Sequence, residues 1–455
     1  MLDLAENEVR LLAYLATGIR TAAEIQHRFG LSQPTVSRMI SRCGSRILAL
    51  GNARRRRYAC RREVLGTLEE FPIFKVDPEG NASPIGTLAP IGSEGYLWSV
   101  PSSPGEVFKS IPWFIDDLRP EGFVGRSFVR QLHQDLSLPP RGIDWRDDQV
   151  LWALARRGDD SMGNLIVGTE SLDRYFQKAR GPADSIRLEE IGEAYPRLAQ
   201  TAMDGQPVGS SAGGEQPKFT ALIEIEGTFL NVLVKFSLPI SSVEGRRWAD
   251  LLVCEHHALR IVQESGIPAV QSQIIEAGQR VFLEVERFDR VGRHGRLPII
   301  SLRAVDNEFY CKQDNWVSAA NRMEKDGRLA PGEAVSLRWL SVFGDLIANT
   351  DQHFGNVSLV MADGRRLFNL APAYDMLPML YRPRDGVAPV PAFTPPAAAP
   401  GAPVEWGSAL HWAVIFWERV AEDAGISKEF REVCARNSEV IRGLGSGPRL
   451  VVRST

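Results

Sequence analysis

Cysteine and histidine are both scarce in this chain. Five cysteines, Cys43, Cys60, Cys254, Cys311 and Cys434, are scattered over 455 residues with no C-x-x-C pair. That argues against a zinc site or a disulfide framework and fits a reducing compartment. The seven histidines offer no H-E-x-x-H or comparable ligand spacing. His256 and His257 are adjacent on a helical stretch, cannot share one face, and read as packing or surface residues. No apolar run approaches the ~18 residues of a membrane span. The opening MLDLAENEVR is acidic and has no apolar stretch of the signal-peptide kind. A cytoplasmic protein without a membrane partner is expected. There is no internal repeat. A large net charge is also missing, since the formal value is −3. Its distribution is uneven, however: residues 1–66 hold twelve arginines against five acidic residues, and the rest of the chain is correspondingly acidic. A basic end on an acidic body points to an anionic partner at that end.

The length suffices for two to four domains. Composition shifts divide it into 1–66, 67–135, 136–290 and 291–455. In the first segment, Val9, Leu11, Leu12, Leu15 and Ala16 recur at helical spacing up to Gly18. Thr21 then caps AAEIQHRF, and after the Gly30-Leu31-Ser32 turn a third helix, QPTVSRMISRCG, begins with Ser32 as N-cap. A hairpin around Gly51-Asn52 follows, with Arg54, Arg55, Arg56 and Arg57 on its strands. Two helices about a short Gly turn, then a basic hairpin, predict a winged helix-turn-helix. Its arginines would meet DNA phosphates, while Gln33, Thr35, Ser37 and Arg38 could reach base edges. A dimerisation or docking module is the bland alternative.

Short apolar runs among Gly and Pro at 71–100 read as a small β-subdomain, and WFIDDLRPEG after them as a turn with a buried aromatic anchor. RDDQVLWALARRGDD is an amphipathic helix. In 208–239, Gly209, Gly213 and Gly214 precede an alternating strand. A Gly-rich loop there can bring backbone N–H groups to phosphate oxygens, although it matches no standard phosphate-loop spacing. In the next strand, FLNVLVKF, Lys235 sits among apolar residues and needs a partner. A phosphate would serve, steered by Glu255 on the following helix. An edge-strand lysine reaching solvent is the alternative. Residues 281–300 read as a strand turning into a charged connector, either a hinge or an ordinary hairpin.

The most informative stretch is 341–378. Asp351 is followed five residues later by Asn356, and Asp375 follows a polar turn and a short apolar run. Kinases use this arrangement: the first Asp orients or deprotonates the acceptor hydroxyl, and the Asn and second Asp hold Mg²⁺ against the nucleotide phosphates. A polar loop and hairpin would produce the same letters by chance. Beyond it, VAPVPAFTPPAAAPGAPVEW is too proline-dense for helix. Two helices then run from SALHWAVIFWERVAEDAG and SKEFREVCARNSEVIRGL, and GSGPRLVVRST reads as a tail.

The order Gly-rich loop, strand Lys, helix Glu, hinge, Asp-x4-Asn, Asp is that of a two-lobed kinase. The segments WFIDDLRPEG, SSAGGEQPKFTAL, LVKF, VERFDR, NTDQHFGN and LAPAYDMLP resemble, in order, the HipA serine/threonine kinases, toxins of bacterial toxin–antitoxin modules. The resemblance implies an ATP- and Mg²⁺-dependent protein kinase. Asp351 would be the catalytic base, and Asn356 and Asp375 the metal ligands. His353 would lie beside the nucleotide, as would Tyr374 next to Asp375. Lys235 would sit on ATP phosphates, and Glu286, Arg287 and Phe288 at the adenine-binding hinge. Ala212, Gly213, Gly214, Glu215, Gln216, Pro217 and Lys218 would form the phosphate-covering loop. Ser211, with Ser210 adjacent, would be the self-silencing phosphorylation site. A translation component such as an aminoacyl-tRNA synthetase would be the protein substrate. Gly355 departs from the basic residue often found before the Asn, and Pro217 falls inside the Gly-rich loop. The fused N-terminal head suggests the solo, YjjJ-type branch, and two-fold symmetric DNA binding would make a homodimer natural. The expected fold is therefore α+β, a winged helix-turn-helix ahead of a kinase-like body with a β-rich small lobe and a mainly helical large lobe. Two rivals stand beside it: a DNA-binding regulator with an inactive kinase-like body, and a small-molecule phosphotransferase.

Overall fold

The computed structural model describes residues 4–51, 56–93, 95–101, 105–204, 216–361, 367–384, 386–396 and 404–445. They form two compact units, residues 1–121 with 128–183, and residues 122–127 with 184–455.

The first unit opens with α1 (Leu4–Ala16), β1 (Arg20–Thr21), α2 (Ala22–Phe29) and α3 (Gln33–Cys43). Thr21 starts α2 through a reciprocal capping box with Glu24, and Gly30 ends it in the left-handed region, at φ 65°. Ser32 stands at the start of α3 but does not cap it as expected. Its hydroxyl pairs instead with Thr35 Oγ1 at 2.9 Å, and Pro34 at the second helical position has no N–H to be capped. Strands β2 (Ile47–Leu50) and β3 (Arg57–Cys60) join β1 in a three-stranded antiparallel sheet, order β1-β3-β2. Leu11, Leu15, Ile25, Val36 and Met39 form the buried centre of this head. Arg57 opens β3 opposite Leu50, and Arg56 precedes the strand. Arg54 and Arg55 lie outside the described residues, so among the described residues only Arg57 of the four expected strand arginines is on a strand.

The head is not a separate bead. Leu50 and Ala59 pack with Ile91 and Leu97 of the sheet that follows, Gly92 N–H donates to Cys60 O at 2.8 Å, and Ser93 N–H donates to Ala16 O at 2.8 Å. That sheet is β4 (Phe71–Val76), β5 (Ala82–Pro90), β6 (Tyr96–Ser99), β7 (Glu106–Phe108) and β8 (Leu165–Val167), antiparallel in the order β7-β6-β5-β4-β8. The helices of this stretch are α4 (Trp113–Asp116), α5 (Gly122–Leu132), α6 (Asp147–Arg157) and α7 (Thr169–Arg180). The amphipathic α6 buries Val150, Leu151 and Leu154 on Phe71, Ile73 and Leu88. The acidic residues of WFIDDLRPEG and RDDQ serve the fold: Arg119 bridges Asp116 and Asp147, and Arg62 takes Asp148 at 2.7 Å. Because β8 extends the edge of β4, residues 136–183 group with this unit and not with the rest of the expected 136–290 segment.

The second unit begins with β9 (Ile186–Arg187), α8 (Ile191–Met203), β10 (Lys218–Ile225), β11 (Thr228–Phe236), α9 (Val243–Glu264), β12 (Ser272–Ala277) and β13 (Arg280–Glu286). The sheet order is β12-β13-β11-β10-β9, with β9 parallel to β10 and the other pairs antiparallel. Alternation sends Val232, Val234 and Phe236 into a core with Tyr195, Phe219 and Phe282. Each such buried aromatic or aliphatic side chain is worth about 1.5–3 kcal/mol of apolar transfer. A tiny hairpin, β14 (Arg290–Val291) and β15 (Gly295–Arg296), follows the expected connector. Then come β16 (Ile300–Ser301), α10 (Leu302–Phe309), α11 (Trp316–Lys325), α12 (Pro331–Leu346), β17 (Ser358–Met361), β18 (Phe368–Leu370), α13 (Trp406–Glu422) and α14 (Lys428–Gly445). The three short strands pair as β16-β17-β18. No described helix is long and apolar enough to cross a membrane.

Candidate active site

The alternation that buries Val234 and Phe236 turns Lys235 to the opposite face of β11. There it is 3% exposed, with Glu255 of α9 fully buried beside it. Lys235 Nζ lies 2.5 Å from Glu255 Oε1 and is also paired with Asp375. The approach of α9 to this sheet depends on Gly245, where an added Cβ would strike the carbonyl oxygens of Leu238 and Pro239. Lys218 stands directly across the β10–β11 ladder from Lys235. Two like charges in that register repel unless anions lie between them, and the Asp375 and Glu255 carboxylates both feel Lys218.

Burial alone would strip the charge from Lys235, but the two carboxylates outweigh it and hold the ammonium above its ordinary value. Burial likewise opposes ionisation of Asp375, yet Lys235, Lys218 and His353 pull it down to about 2. Glu255 goes the other way, since burial holds its carboxyl above the ordinary value despite Lys235. Its second oxygen, Oε2, is enclosed with no partner among the described residues. Lys235 is shared directly by the two carboxylates, and Lys218 adds a second positive charge to the same cluster.

The loop after α12 supplies the remaining groups. Ala348 takes a left-handed turn, at φ 61°, and drops Asn349 into the interior at 4% exposure. Asn349 Oδ1 accepts the Asp351 N–H at 3.0 Å, and its Nδ2 donates to Asp375 O at 3.4 Å. Asn356 Nδ2 donates to Asp351 O at 2.8 Å, which leaves Oδ1 as the acceptor end of that amide. His353 Nδ1 accepts the Gly355 N–H at 3.0 Å, and Trp316 Nε1 donates to His353 O at 3.2 Å. A Cβ at position 355 would press within 3.0 Å of the imidazole, so Gly355 is what lets the ring lie there. Tyr374 stacks on Phe288 at 5.7 Å and donates to Gly355 O at 3.2 Å. Asp375 itself is left-handed, at φ 54°, a conformation Asp tolerates better than most residues.

The expected residues thus fall into two connected groups, Lys218, Lys235, Glu255 and Asp375, and Asp351, His353, Asn356 and Tyr374, with Asn349 between them. Phe288 joins through Tyr374. The sequence reading passed over Asn349. Its signal was a polar residue after the apolar run Leu346-Ile347-Ala348 and two residues before Asp351. Glu286 is exposed at the end of β13, with its N–H given to Gln271 O at 3.0 Å. The Arg287 guanidinium is committed to Asp289 at 2.9 and 3.0 Å, so its side chain holds the connector. Gln216 is buried, and Pro217 O accepts from Phe236 N–H at 3.0 Å. Ala212, Gly213, Gly214, Glu215, Ser210 and Ser211 lie outside the described residues, as do Gly209 and the tail. His256 and His257 are half-buried and engaged by Ser272 and Asp423, as packing residues would be. In the head, Gln33, Ser37 and Arg38 are exposed along α3, Thr35 is half-buried against Ser32, and Arg56 and Arg57 are exposed.

Residues 67–176 match the family described as the YjjJ-like toxin, middle domain, and residues 210–441 match the HipA-like C-terminal domain. Toxin YjjJ of Escherichia coli (strain K12) is 36% identical over 431 residues, covering 94% of this chain and 96% of that one. Among solved structures, the Shewanella oneidensis MR-1 toxin–antitoxin system HipA, HipB and its operator DNA complex contains a chain of similar fold. It aligns at TM-score 0.52 and 17% identity over 82% of this chain and 96% of that one. A Helicobacter pylori proinflammatory kinase, CtkA, aligns at TM-score 0.34 and 12% identity, too loosely to argue from.

Proposed function

The chain belongs to the YjjJ-like toxins of the HipA-like family, and from that membership we propose that it is an ATP-dependent protein serine/threonine kinase whose residues 1–66 bind DNA. The observation that carries the kinase reading is the buried cluster of Lys235, Glu255 and Asp375, tied through Asn349 to the Asp351 loop. It joins a phosphate-binding lysine and its helix glutamate to a metal-binding aspartate and a base, the set phosphoryl transfer needs.

In this reading Asp351 takes the acceptor hydroxyl's proton, and Lys235 and Lys218 hold phosphate oxygens, with Glu255 fixing the position of Lys235. Phe288 and Tyr374 border the base, together with the backbone of Glu286 and Arg287. Ala212 to Lys218 would be the phosphate-covering loop, as the resemblance implies. Asn356 Oδ1 and Asp375 would hold Mg²⁺, which asks for only one or two protein oxygens and supplies charge neutralisation of the phosphates. The residues fit that ion: Asn356 and Asp375 offer hard oxygen donors, and Glu255 Oε2 in the same cluster is an enclosed acceptor without a partner among the described residues. Much of the catalysis is positioning, which the hydrogen bonds to Asp351 N and O support.

Phosphorylation of Ser211 or Ser210 rests on the resemblance; a dianion at the phosphate-covering loop would compete with ATP. A translation protein as acceptor also rests on the resemblance, as does a cytoplasmic setting. DNA binding is supported by the exposed Gln33, Ser37 and Arg38 on α3, by the exposed Arg56 and Arg57 at β3, and by the operator DNA in the complex of the Shewanella HipA and HipB. A homodimer follows if the operator is two-fold. Calorimetric titration with a non-hydrolysable ATP analogue tests the nucleotide site. Binding strengthened by Mg²⁺, and losing that enhancement in Asp375→Asn, is expected. Absence of binding to the wild type would overturn the reading.

A further inference from the structure

A cavity of about 440 Å³ opens on the side of the Asp351 loop that carries Gln352 and His353. One wall is the loop itself, and the other is the turn at Gln313 and Asp314 ahead of α11. Asp306, 1% exposed, fixes that second wall by accepting the N–H groups of Lys312 and Gln313, both at 2.8 Å, and pairing with Arg322 at 3.0 Å. The Trp316 Nε1–His353 O bond fastens the two walls together. The space is therefore built in advance, and it is far larger than a seryl hydroxymethyl group.

Three carboxylates face it, and their partners differ. Asp314 is neutralised by Arg322 at 2.7 Å. Asp345 accepts only from Gln352 Nε2, at 2.6 Å, and meets no cation among the described residues. The carboxylate of Asp351 accepts from no described side chain. Gln352 Oε1, enclosed at the same wall, has no partner either. The cavity lining includes no Lys, no Arg and no hydrophobic residue beyond Phe354. An incoming chain that filled it with an apolar or acidic side chain would leave the Asp345 carboxylate desolvated without a counter-charge, whereas an ammonium or guanidinium would pair with it.

We infer that the cavity is the acceptor-peptide site of the proposed kinase, and that Asp345, held in place by Gln352 Nε2, selects a protein segment carrying Lys or Arg within two residues of the phosphorylated serine or threonine. The inference rests on the kinase reading above. In the step it serves, the acceptor oxygen forms its bond to the γ-phosphorus while the bond from that phosphorus to the β–γ bridging oxygen breaks. The electron pair leaves with ADP, and the hydroxyl proton passes to Asp351. Asp345 does not touch the reacting atoms; it sets which segment lies across them.

The test is phosphosite mapping in a dephosphorylated Escherichia coli lysate supplied with Mg-ATP and the full-length protein, as wild type, Asp351→Ala, Asp345→Asn and Asp345→Lys. Sites that need Asp351 are expected to carry a flanking Lys or Arg, favoured by about tenfold over neutral flanks, the worth of one charge-assisted hydrogen bond. Asp345→Asn should erase the bias and Asp345→Lys should turn it towards acidic flanks, an altered preference that a misfolded variant could not give. Asp351-dependent sites without basic flanks, or a bias that survives both Asp345 variants, would overturn the inference and leave the kinase reading standing. No Asp351-dependent site at all would overturn the kinase reading, and the inference with it.

Discussion

Lys235 on β11 and Glu255 on α9 meet at 2.5 Å in a space from which solvent is excluded almost completely. Neither charge is tolerable there alone, and Asp375 on a distant part of the chain completes the set. The pair therefore locks the strand, the helix and the loop of Asp375 to one another.

Removing the cation should be costly for folding as well as for nucleotide binding. Lys235→Met leaves two buried carboxylates without their counter-charge, and breaking a buried pair in this way typically costs about 3–5 kcal/mol. Urea unfolding of the variant is expected to show a loss of that size, with ATP-analogue affinity also gone.

Asp351 gives the opposite pattern. Its backbone is held at both ends, but no described group bonds its carboxylate. Asp351→Asn should change stability by less than about 0.5 kcal/mol while cutting phosphoryl transfer by about 10²–10⁴-fold, the usual contribution of a general base. Differential scanning calorimetry beside a transfer assay reads both.

Asn349 separates positioning from binding. Asn349→Ala removes the acceptor for Asp351 N–H and the tether to Asp375 O. Turnover should fall by about 100-fold, the cost of a displacement near 1 Å. The affinity for the ATP analogue should stay within about twofold, because the lysines are untouched. A parallel fall in affinity would mean that Asn349 merely holds the fold.

The grouping of Lys235, Glu255 and Asp375 was legible because charged residues in unfavourable company need one another. Lys235 in an apolar strand announces a missing partner, Glu255 lies on the helix that follows it, and the Asp351–Asn356 interval fits one loop. The role of Asn349 was not legible, since it depends on the left-handed turn at Ala348, which no residue type there demands. The joint core of the N-terminal head and the β4–β8 sheet was hidden for a different reason. Leu50, Ala59, Ile91 and Leu97 are short apolar residues whose sequence pattern fits either a private core or a shared one. Arg119 and Arg62 explain the acidic residues of the WFIDDLRPEG and RDDQ segments only once the strands bring them together.

His256 predicts a pH response of the fold. Burial, reinforced by His257 and Arg260, holds it below its ordinary value of 6.5. Below that pH the unfolded chain takes up a proton that the folded chain resists, so the unfolded state gains. The contribution is complete above 6.5 and is lost as the pH falls from there through the lower folded-state value. Melting temperatures measured at about pH 7.5 and about pH 5.5 should differ less for His256→Gln than for the wild type.

For the head, salt dependence is the informative readout. If Arg38 and Arg57 meet phosphates, replacing either with Ala should reduce the slope of log affinity against log salt by about 1. Changes at Gln33 or Ser37 should instead alter sequence preference at an unchanged slope.

Intact-protein mass after incubation with Mg-ATP, on wild type and Asp351→Asn whose starting masses are unmodified, tests the central claim most directly. The account predicts a gain of one phosphate in the wild type alone, mapping to Ser211 or Ser210. An unmodified wild-type chain that gains nothing, and transfers nothing to added protein, would contradict it.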